Sequence, residues 1–217
     1  MKAAEILARV DHTLLKQTAT WAEIQRICEE AKTYHTATVM VPSCFIARIK
    51  ETYGERVKAA TVVGFPNGNC NTAAKIAETA QALADGAEEI DMVINVGALK
   101  AGETKYVTDE IKALKQLCGE RVLKVIVETC FLTDEEKIAA CKCVTEGGAD
   151  FIKTSTGFGT AGATLEDIKL FKEHIGEGVQ MKAAGGIHTR EEMEAFIEAG
   201  CTRLGASAAV KVLKDEI

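Results

Sequence analysis

The sequence predicts an α/β protein whose single domain is a (β/α)8 barrel, the TIM-barrel fold. Eight short runs rich in β-branched residues alternate with segments in which apolar residues recur at helical spacing. The 217 residues give units of about 27 residues each, close to the roughly 30 of a βα unit. The strands are apolar on both faces, as parallel strands covered by helices are. The barrel is therefore predicted to occupy residues 1–217, and an open, doubly wound sheet is the alternative.

The eight predicted strands are spread evenly along the chain, at 9–12, 36–41, 58–64, 89–96, 121–128, 150–154, 179–184 and 202–205. Three helices between them are predicted to begin with a capping box, in which a Thr and a Glu three residues later bind each other's backbone N–H groups. These pairs are Thr20 with Glu23, Thr133 with Glu136 and Thr189 with Glu192. Glycines are predicted to end most helices just before the next strand, at Gly54, Gly86, Gly119, Gly147, Gly148, Gly176 and Gly200.

An internal repeat relates three of the strands. The segments at 86–91 (GAEEID), 148–153 (GADFIK) and 200–205 (GCTRLG) share one pattern and enter strands four, six and eight. In a barrel of this type, alternate strands supply the side chains of one interior layer. We therefore expect the aligned residues Asp91, Lys153 and Gly205 to lie at a similar height in the barrel.

Composition excludes several classes of protein. The 26 lysines and arginines against 32 aspartates and glutamates give a net charge of −6, which argues against a nucleic-acid or anionic-membrane partner. Apolar stretches end well short of the roughly 20 residues that cross a bilayer, and residues at the N-terminus lack the pattern of a signal peptide. The cytoplasm is the predicted location. The 8 cysteines are scattered, which favours reduced core thiols over disulfides or zinc ligands.

Four charged residues fall in predicted strands, where burial is costly unless charges are paired. They are Asp11, Asp91, Lys153 and Lys182. Any one of them could belong to a structural ion pair or point outwards to the helices. Together they suggest an active site, because sites of this fold lie at the C-terminal ends of strands. Three of the four are expected there, and Asp11 is expected to end the first strand.

Lys153 and Lys182 lie on neighbouring strands. At ~5 Å and a dielectric near 20, two ammonium groups repel by roughly 3 kcal/mol. This repulsion would lower the pKa of one lysine by about two units, to near 8, where a useful fraction is the neutral amine. Lys153 is the predicted nucleophile because it shares a layer with Asp91, which can move protons. Lys182 is then its electrostatic partner.

Two glycine-rich loops indicate a phosphate site. Gly185 and Gly186 follow strand seven, and Gly205 leads into Ser207 ahead of a predicted short helix. Backbone N–H groups in such loops can bind an anion, and a helix opening at Ser207 would add its dipole. Steric demands of tight turns are the alternative explanation for these glycines.

A second glycine pattern and the histidines point to no cofactor or metal. The run at 157–162 matches GxGxxG, but it follows the sixth strand and no acidic residue ends the next one, so a nicotinamide site is not expected. His35 and His174 are expected in solvent, His12 is expected to orient Asp11 or to pack, and His188 lies near the phosphate loops. Without a histidine cluster, a metal-dependent reaction is not predicted.

Seven segments, in the same order along the chain, resemble sequences of the 2-deoxyribose-5-phosphate aldolase family. Its members are class I aldolases, which react through a Schiff base. The resemblance covers nearly the whole chain. The segments are 11–15 (DHTLL), 62–68 (VVGFPNG), 89–95 (EIDMVIN), 124–129 (KVIVET), 148–158 (GADFIKTSTGF), 182–187 (KAAGGI) and 203–207 (RLGAS).

The resemblance implies a role for each candidate residue. Lys153 would form the Schiff base, Asp91 would relay protons with an ordered water, Lys182 would perturb Lys153, and Asp11 would support the lysine pair or the substrate hydroxyl. The residues implied to bind phosphate are Thr156, Gly157, Gly185, Gly186, Gly205 and Ser207.

The implied reaction is the reversible cleavage of 2-deoxy-D-ribose 5-phosphate to acetaldehyde and D-glyceraldehyde 3-phosphate, without a cofactor. The chain departs from familiar members at the phosphate end, with His188 where Arg is frequent and Ala208 where a second Ser is frequent. A homodimer is the expected assembly. Two alternatives stay open: a transaldolase-like phosphosugar aldolase that refuses acetaldehyde, and a phosphosugar-binding barrel without activity.

Overall fold

Eight parallel strands hydrogen-bond in the order of the chain and close into a barrel in the computed structural model, which describes residues 1–217. The closed ring confirms the predicted (β/α)8 barrel, and the open sheet is wrong because β1 pairs with β8. The strands are β1 Val10–Thr13, β2 Thr38–Val41, β3 Ala59–Val63, β4 Glu89–Val93, β5 Val122–Ile126, β6 Phe151–Lys153, β7 Gln180–Ala184 and β8 Arg203–Ala206.

Helices surround the barrel, and none is long and apolar enough to span a bilayer. The first of them precedes β1, and two follow β4. They are α1 Ala3–Leu7, α2 Trp21–Tyr34, α3 Ile46–Tyr53, α4 Thr72–Ala84, α5 Val96–Lys100, α6 Thr104–Cys118, α7 Asp134–Glu146, α8 Leu165–His174, α9 Arg190–Ala199 and α10 Ala209–Leu213.

The predicted helix signals are largely present. All three capping boxes form, at the starts of α2, α7 and α9. Gly200 ends α9 with φ +120, a conformation that favours glycine. Gly176 follows the end of α8 at His174, but it does not adopt the left-handed conformation of a helix-ending glycine. A Cβ at Gly176 would lie 2.1 Å from Cγ2 of Thr145, so close packing explains this glycine.

The main apolar core lies between the outer face of the barrel and the helices. It contains 50 buried residues, among them Phe171 of α8, Ile24 of α2 and Ile90 of β4. All eight cysteines are free. The prediction of core thiols is confirmed for five, Cys28, Cys118, Cys141, Cys143 and Cys201, and is wrong for Cys44, which is exposed, and for Cys70 and Cys130, which are partly exposed. Burial raises the pKa of the Cys28, Cys141 and Cys201 thiols to about 12, so these thiols stay protonated.

The strand register stacks the interior side chains in layers of four. With a shear of eight, each step of two strands around the barrel rises two residues, and the ring closes on itself. From the N-terminal to the C-terminal end, the four layers are Thr38, Glu89, Phe151 and Arg203; Asp11, Ala60, Lys124 and Lys182; Met40, Asp91, Lys153 and Gly205; and Thr13, Val62, Ile126 and Ala184. The predicted common layer of Asp91, Lys153 and Gly205 is thus confirmed.

Candidate active site

Asp91 is the centre of a buried group of charges inside the barrel. Its Oδ1 accepts a hydrogen bond from Nζ of Lys124 at 2.8 Å. Its Oδ2 accepts from Nζ of Lys153 at 2.8 Å and from Nζ of Lys182 at 2.7 Å. All four side chains are buried. Lys153 and Lys182, the two lysines predicted from the sequence, therefore bind the same carboxylate oxygen, which fixes the positions of both amino groups.

Asp11 and Lys182 lie one layer deeper than expected. The sequence places Asp11 at the end of the first strand, but β1 continues to Thr13, and Lys182 is the central residue of β7. Asp11 accepts hydrogen bonds from Lys182 and, at 2.6 Å, from Arg203. It supports the lysine pair from below, and it does not line the cavity that opens above.

Three further charged residues complete the group: Glu89, Lys124 and Arg203. None of them was predicted from the sequence as a site residue. Nζ of Lys124 lies 2.6 Å from Oε2 of Glu89, and Arg203 binds the same oxygen at 2.8 Å. Glu89 and Asp91 are two residues apart on β4, so their side chains point to the same face. That spacing, together with Lys124 in the middle of an apolar strand, is the signal that would have identified them.

Burial and neighbouring charges together set the pKa of Lys153. Burial contributes most, because an ammonium loses its hydration, and Lys182 lowers the pKa further. Asp91 opposes both effects, and the pKa falls to about 8. The predicted value agrees, but its attribution to Lys182 alone is wrong, because loss of solvent is the larger cause.

The carboxylates of the group are held in their ionised form. Burial alone would raise the pKa of Asp91, but Lys124, Lys153 and Lys182 outweigh it and hold that pKa well below its usual range. Lys124, Lys182 and Arg203 do the same for the pKa of Asp11. Asp91 is therefore a hydrogen-bond acceptor that orients the amino groups of three lysines, Lys124, Lys153 and Lys182.

A cavity of about 270 Å3 opens at the C-terminal end of the barrel. Lys153 reaches it as the last residue of β6. All six residues that the family resemblance assigns to phosphate also line this cavity, and so do Lys16 and His188. The six are Thr156, Gly157, Gly185, Gly186, Gly205 and Ser207. The cavity therefore brings the predicted nucleophile and the predicted anion site together.

The glycine loops present backbone donors to this cavity. Gly157, Gly185 and Gly186 have φ values of +85, +83 and +75, which glycine adopts without strain. Their N–H groups make no hydrogen bond within the protein. A Cβ at Gly205 would lie 2.8 Å from Cβ of Ala184 and 3.3 Å from Cε of Lys182, so this glycine leaves room for the buried lysine.

Thr156 and Ser207 differ from their expected roles. The N–H of Thr156 donates to Oε1 of Glu128 at 3.1 Å, and its hydroxyl donates to the other oxygen of that carboxylate. Thr156 thus has no free donor for an anion, and it ties its loop to the end of β5. Ser207 does not begin a helix, because α10 starts at Ala209 with Ala208 at the N-cap.

The GxGxxG run at 157–162 has a packing explanation. A Cβ at Gly162 would lie 2.2 Å from the carbonyl oxygen of Gly185, so this glycine lets two loops of the cavity approach. Gly159 packs in the same way against Cys130 and Glu128. The run shapes the rim of the cavity.

The histidines do not take part in the charged group. Nε2 of His12 lies 2.6 Å from Oε2 of Glu30 on α2, so the expectation that His12 orients Asp11 is wrong. His35 and His174 are exposed, as expected, and His188 lies at the cavity rim. No group of three or more His, Cys, Asp or Glu side chains is placed to hold a metal ion. The absence of a cofactor stays a prediction.

Comparison with known proteins defines the class. Residues 6–212 match the family model described as DeoC/LacD family aldolase. The chain therefore belongs to this family of aldolases, and it is a carbon–carbon lyase.

Individual relatives are similar over their full length. A deoxyribose-phosphate aldolase from Clostridium botulinum (strain Alaska E43 / Type E3) is 62% identical over 216 residues, which is 100% of this chain and 98% of the relative. One from Streptococcus pyogenes serotype M4 (strain MGAS10750) is 50% identical, over 100% of this chain and 97% of the relative.

Solved structures share the barrel. A putative deoxyribose-phosphate aldolase from Coccidioides immitis superposes with a TM-score of 0.95 at 37% identity, covering 99% of this chain and 87% of that one. The tetrameric deoxyribose phosphate aldolase from Aeropyrum pernix superposes with a TM-score of 0.90 at 27% identity, covering 99% and 92%.

Proposed function

We propose that the enzyme reversibly cleaves 2-deoxy-D-ribose 5-phosphate to acetaldehyde and D-glyceraldehyde 3-phosphate through a Schiff base on Lys153. One observation carries the proposal: a buried lysine of lowered pKa faces a cavity that is also lined by loops with free backbone donors. The names of the relatives at 62% and 50% identity support the choice of substrate.

The first step needs a neutral amine. With a pKa of about 8, roughly a tenth of Lys153 is the neutral amine at pH 7, against about one part in three thousand at the ordinary value. This amine attacks the C1 aldehyde of the sugar and forms a carbinolamine, which loses water to give the iminium. Asp91 holds Nζ of Lys153 in place, and a water bound to its carboxylate carries protons to and from the reacting atoms.

The second step breaks a carbon–carbon bond. The iminium at C1 draws the electron pair of the C2–C3 bond while the hydroxyl on C3 gives up its proton to the water next to Asp91, and the three-carbon phosphate leaves as an aldehyde. The two-carbon enamine that remains takes a proton at C2 through the water next to Asp91. Hydrolysis of the resulting imine releases acetaldehyde and frees Lys153.

The phosphate keeps the sugar in place for these steps. Gly157, Gly185 and Gly186 offer backbone N–H groups, and the hydroxyl of Ser207 adds a donor at the same cavity. Binding energy from a group remote from the reacting carbons stabilises the oriented complex, so losing it lowers turnover as well as affinity.

The proposal is tested by trapping. The protein is incubated with acetaldehyde and sodium borohydride, and peptide mass spectrometry locates the ethyl adduct, with Lys153→Leu as the control. A single adduct on Lys153, together with release of acetaldehyde from 2-deoxyribose 5-phosphate, supports the proposal. Trapping by a phosphosugar but not by acetaldehyde would favour a transaldolase-like enzyme, and no adduct at all would favour a binding barrel.

The assembly and location of the protein remain predictions. We propose small phosphosugars and aldehydes as its only partners besides a second copy of the chain in a homodimer. The Aeropyrum pernix relative is described as a tetramer, so the number of subunits is a point on which this chain can differ. Sedimentation equilibrium measures the mass of the assembly. A mass of twice 23.3 kDa supports the homodimer, and any other multiple contradicts it.

A further inference from the structure

Charged groups that the proposed reaction does not use lie at the end of the barrel opposite the cavity. Glu89 is fully buried there, and its carboxylate binds Lys124 at 2.6 Å, Lys58 at 2.7 Å and Arg203 at 2.8 Å. The guanidinium of Arg203 also lies 5.5 Å from the ring centroid of Phe151. Neither Glu89 nor Arg203 lines the cavity.

Two chains of ion pairs connect this end of the barrel to Lys153. In one, Glu89 binds Lys124, which binds Asp91. In the other, Arg203 binds Asp11, which binds Lys182, and Lys182 binds Asp91. Both chains end on the carboxylate that holds Lys153, so a change of charge at Glu89 or Arg203 acts on Lys153 without contact with substrate.

The charges of this group balance in one protonation state of Lys153. The group has three carboxylates, and it has three cations besides Lys153. The carboxylates are Asp11, Glu89 and Asp91, and the cations are Lys124, Lys182 and Arg203. With Lys153 as the neutral amine, the sum is zero, and with the ammonium it is +1. An uncompensated charge in a buried site is costly, so the balance favours the amine.

Lys58 is the remaining cation near the group. Its side chain is 43% exposed, and it binds Glu89 from the rim of the barrel. Solvent screens this charge, so it counts for less in the balance than the buried ones.

We propose that Glu89 and Arg203 are positioning residues that set the fraction of neutral amine at Lys153 from the far end of the barrel, through the net charge of the buried group. The proposal rests on the function proposed above, because it concerns the same lysine. It requires opposite effects from the two residues. Loss of the Glu89 charge leaves a surplus positive charge and favours the amine, whereas loss of the Arg203 charge leaves a surplus negative charge and favours the ammonium.

The test measures the titration of Lys153 without any aldehyde. Competitive labelling with acetic anhydride, followed by peptide mass spectrometry over a pH series, reports the fraction of neutral amine. Across roughly 10 Å at a dielectric near 20, one unit charge shifts the midpoint by about one pH unit. Glu89→Gln is expected to move it down and Arg203→Met to move it up. The double variant is expected to return it close to the original value.

Two further variants keep the test decisive. Glu110 is equally buried and pairs with Lys75 at 2.7 Å among the helices, so Glu110→Gln matches the loss of a buried carboxylate and is expected to leave the midpoint unchanged. Lys58→Met removes an exposed cation and is expected to raise the midpoint slightly. If Glu89→Gln does not fold, a rise of the midpoint for Arg203→Met with no change for Glu110→Gln still supports the proposal, and a fall for Arg203→Met overturns it.

Shifts of the same sign for Glu89→Gln and Arg203→Met, no shift for either, or an equal shift for Glu110→Gln would overturn the proposal. Failure of the proposed function is seen separately. If acetaldehyde and borohydride leave no adduct on Lys153 while the labelling midpoints move as expected, the charge balance holds and the Schiff-base reaction does not.

Discussion

The two faces of strand β4 contrast sharply. On β4, Ile90 and Met92 point outward into the apolar core, whereas Glu89 and Asp91 point into the barrel and bind lysines. The outward face stabilises the fold through apolar burial, for which many side chains serve equally well. The inward face contributes the chemistry, because the charge of each side chain there shifts the pKa values of its neighbours. Substitutions on the two faces should therefore have separable effects, on stability and on reactivity.

The largest expected effect is on the inward face, at the predicted nucleophile. Lys153→Leu removes the amine, so cleavage of 2-deoxyribose 5-phosphate should fall roughly a thousandfold or more. The fold should be kept, because the other charges of the buried group balance without Lys153 and Asp91 keeps two lysine partners. Steady-state kinetics and circular dichroism measure the two properties. An active Lys153→Leu variant would show that another group forms the covalent intermediate.

The matching change in the apolar core between the barrel and the helices is Phe171→Ala on α8. It leaves a cavity in the apolar core and should lower the free energy of unfolding by about 3–5 kcal/mol. The kcat of the remaining folded protein should stay close to the original value, since Phe171 does not line the cavity. Urea unfolding followed by fluorescence, with kinetics well below the midpoint, makes the comparison. A large loss of kcat with unchanged stability would contradict the claim that the apolar core affects stability and not reactivity.

A smaller effect is expected at Lys182. Lys182→Leu removes one of the charges that lower the pKa of Lys153, so this pKa should rise, and the rate of imine trapping should reach its plateau at higher pH. Because burial is the larger cause, the rise should be less than the two units that repulsion alone would give. A pH profile of borohydride trapping measures it. A fall in the apparent pKa would contradict the assigned sign.

The smallest expected effect concerns the rim of the cavity. Ser207→Ala removes one hydroxyl donor while the glycine N–H groups remain, so binding should weaken by about 1 kcal/mol, or roughly fivefold in affinity. The loss should appear for the 5-phosphate and not for free 2-deoxyribose, and parallel kinetics on both sugars would separate the two. Equal losses for both would place Ser207 away from the phosphate.

Much of this arrangement follows from the sequence. The periodicity and the capping boxes predicted the barrel, and the repeat ending in Asp91, Lys153 and Gly205 predicted one interior layer, which the register confirms. These features are local or repeat at fixed spacing, so they can be read without the three-dimensional structure.

The deeper part of the charged group could not be predicted in the same way. Glu89 and Arg203 are the first residues of their strands, where a charge usually reaches solvent, and only closure of the barrel brings them together. The burial of Lys153 also depends on the completed barrel, so the repulsion by Lys182 could be predicted from the sequence, whereas the larger effect of lost solvent could not. The hydrogen bond from Thr156 to Glu128 joins two loops, and no sequence pattern in either loop predicts it.

The central claim is that Lys153 has a lowered pKa and reacts with an aldehyde. The most direct measurement is the rate at which acetaldehyde and cyanoborohydride alkylate Lys153 across a pH series, followed by peptide mass spectrometry. The account predicts that the rate rises with a single midpoint near 8. A midpoint near the ordinary value of 10.5, or alkylation spread over surface lysines, would contradict it.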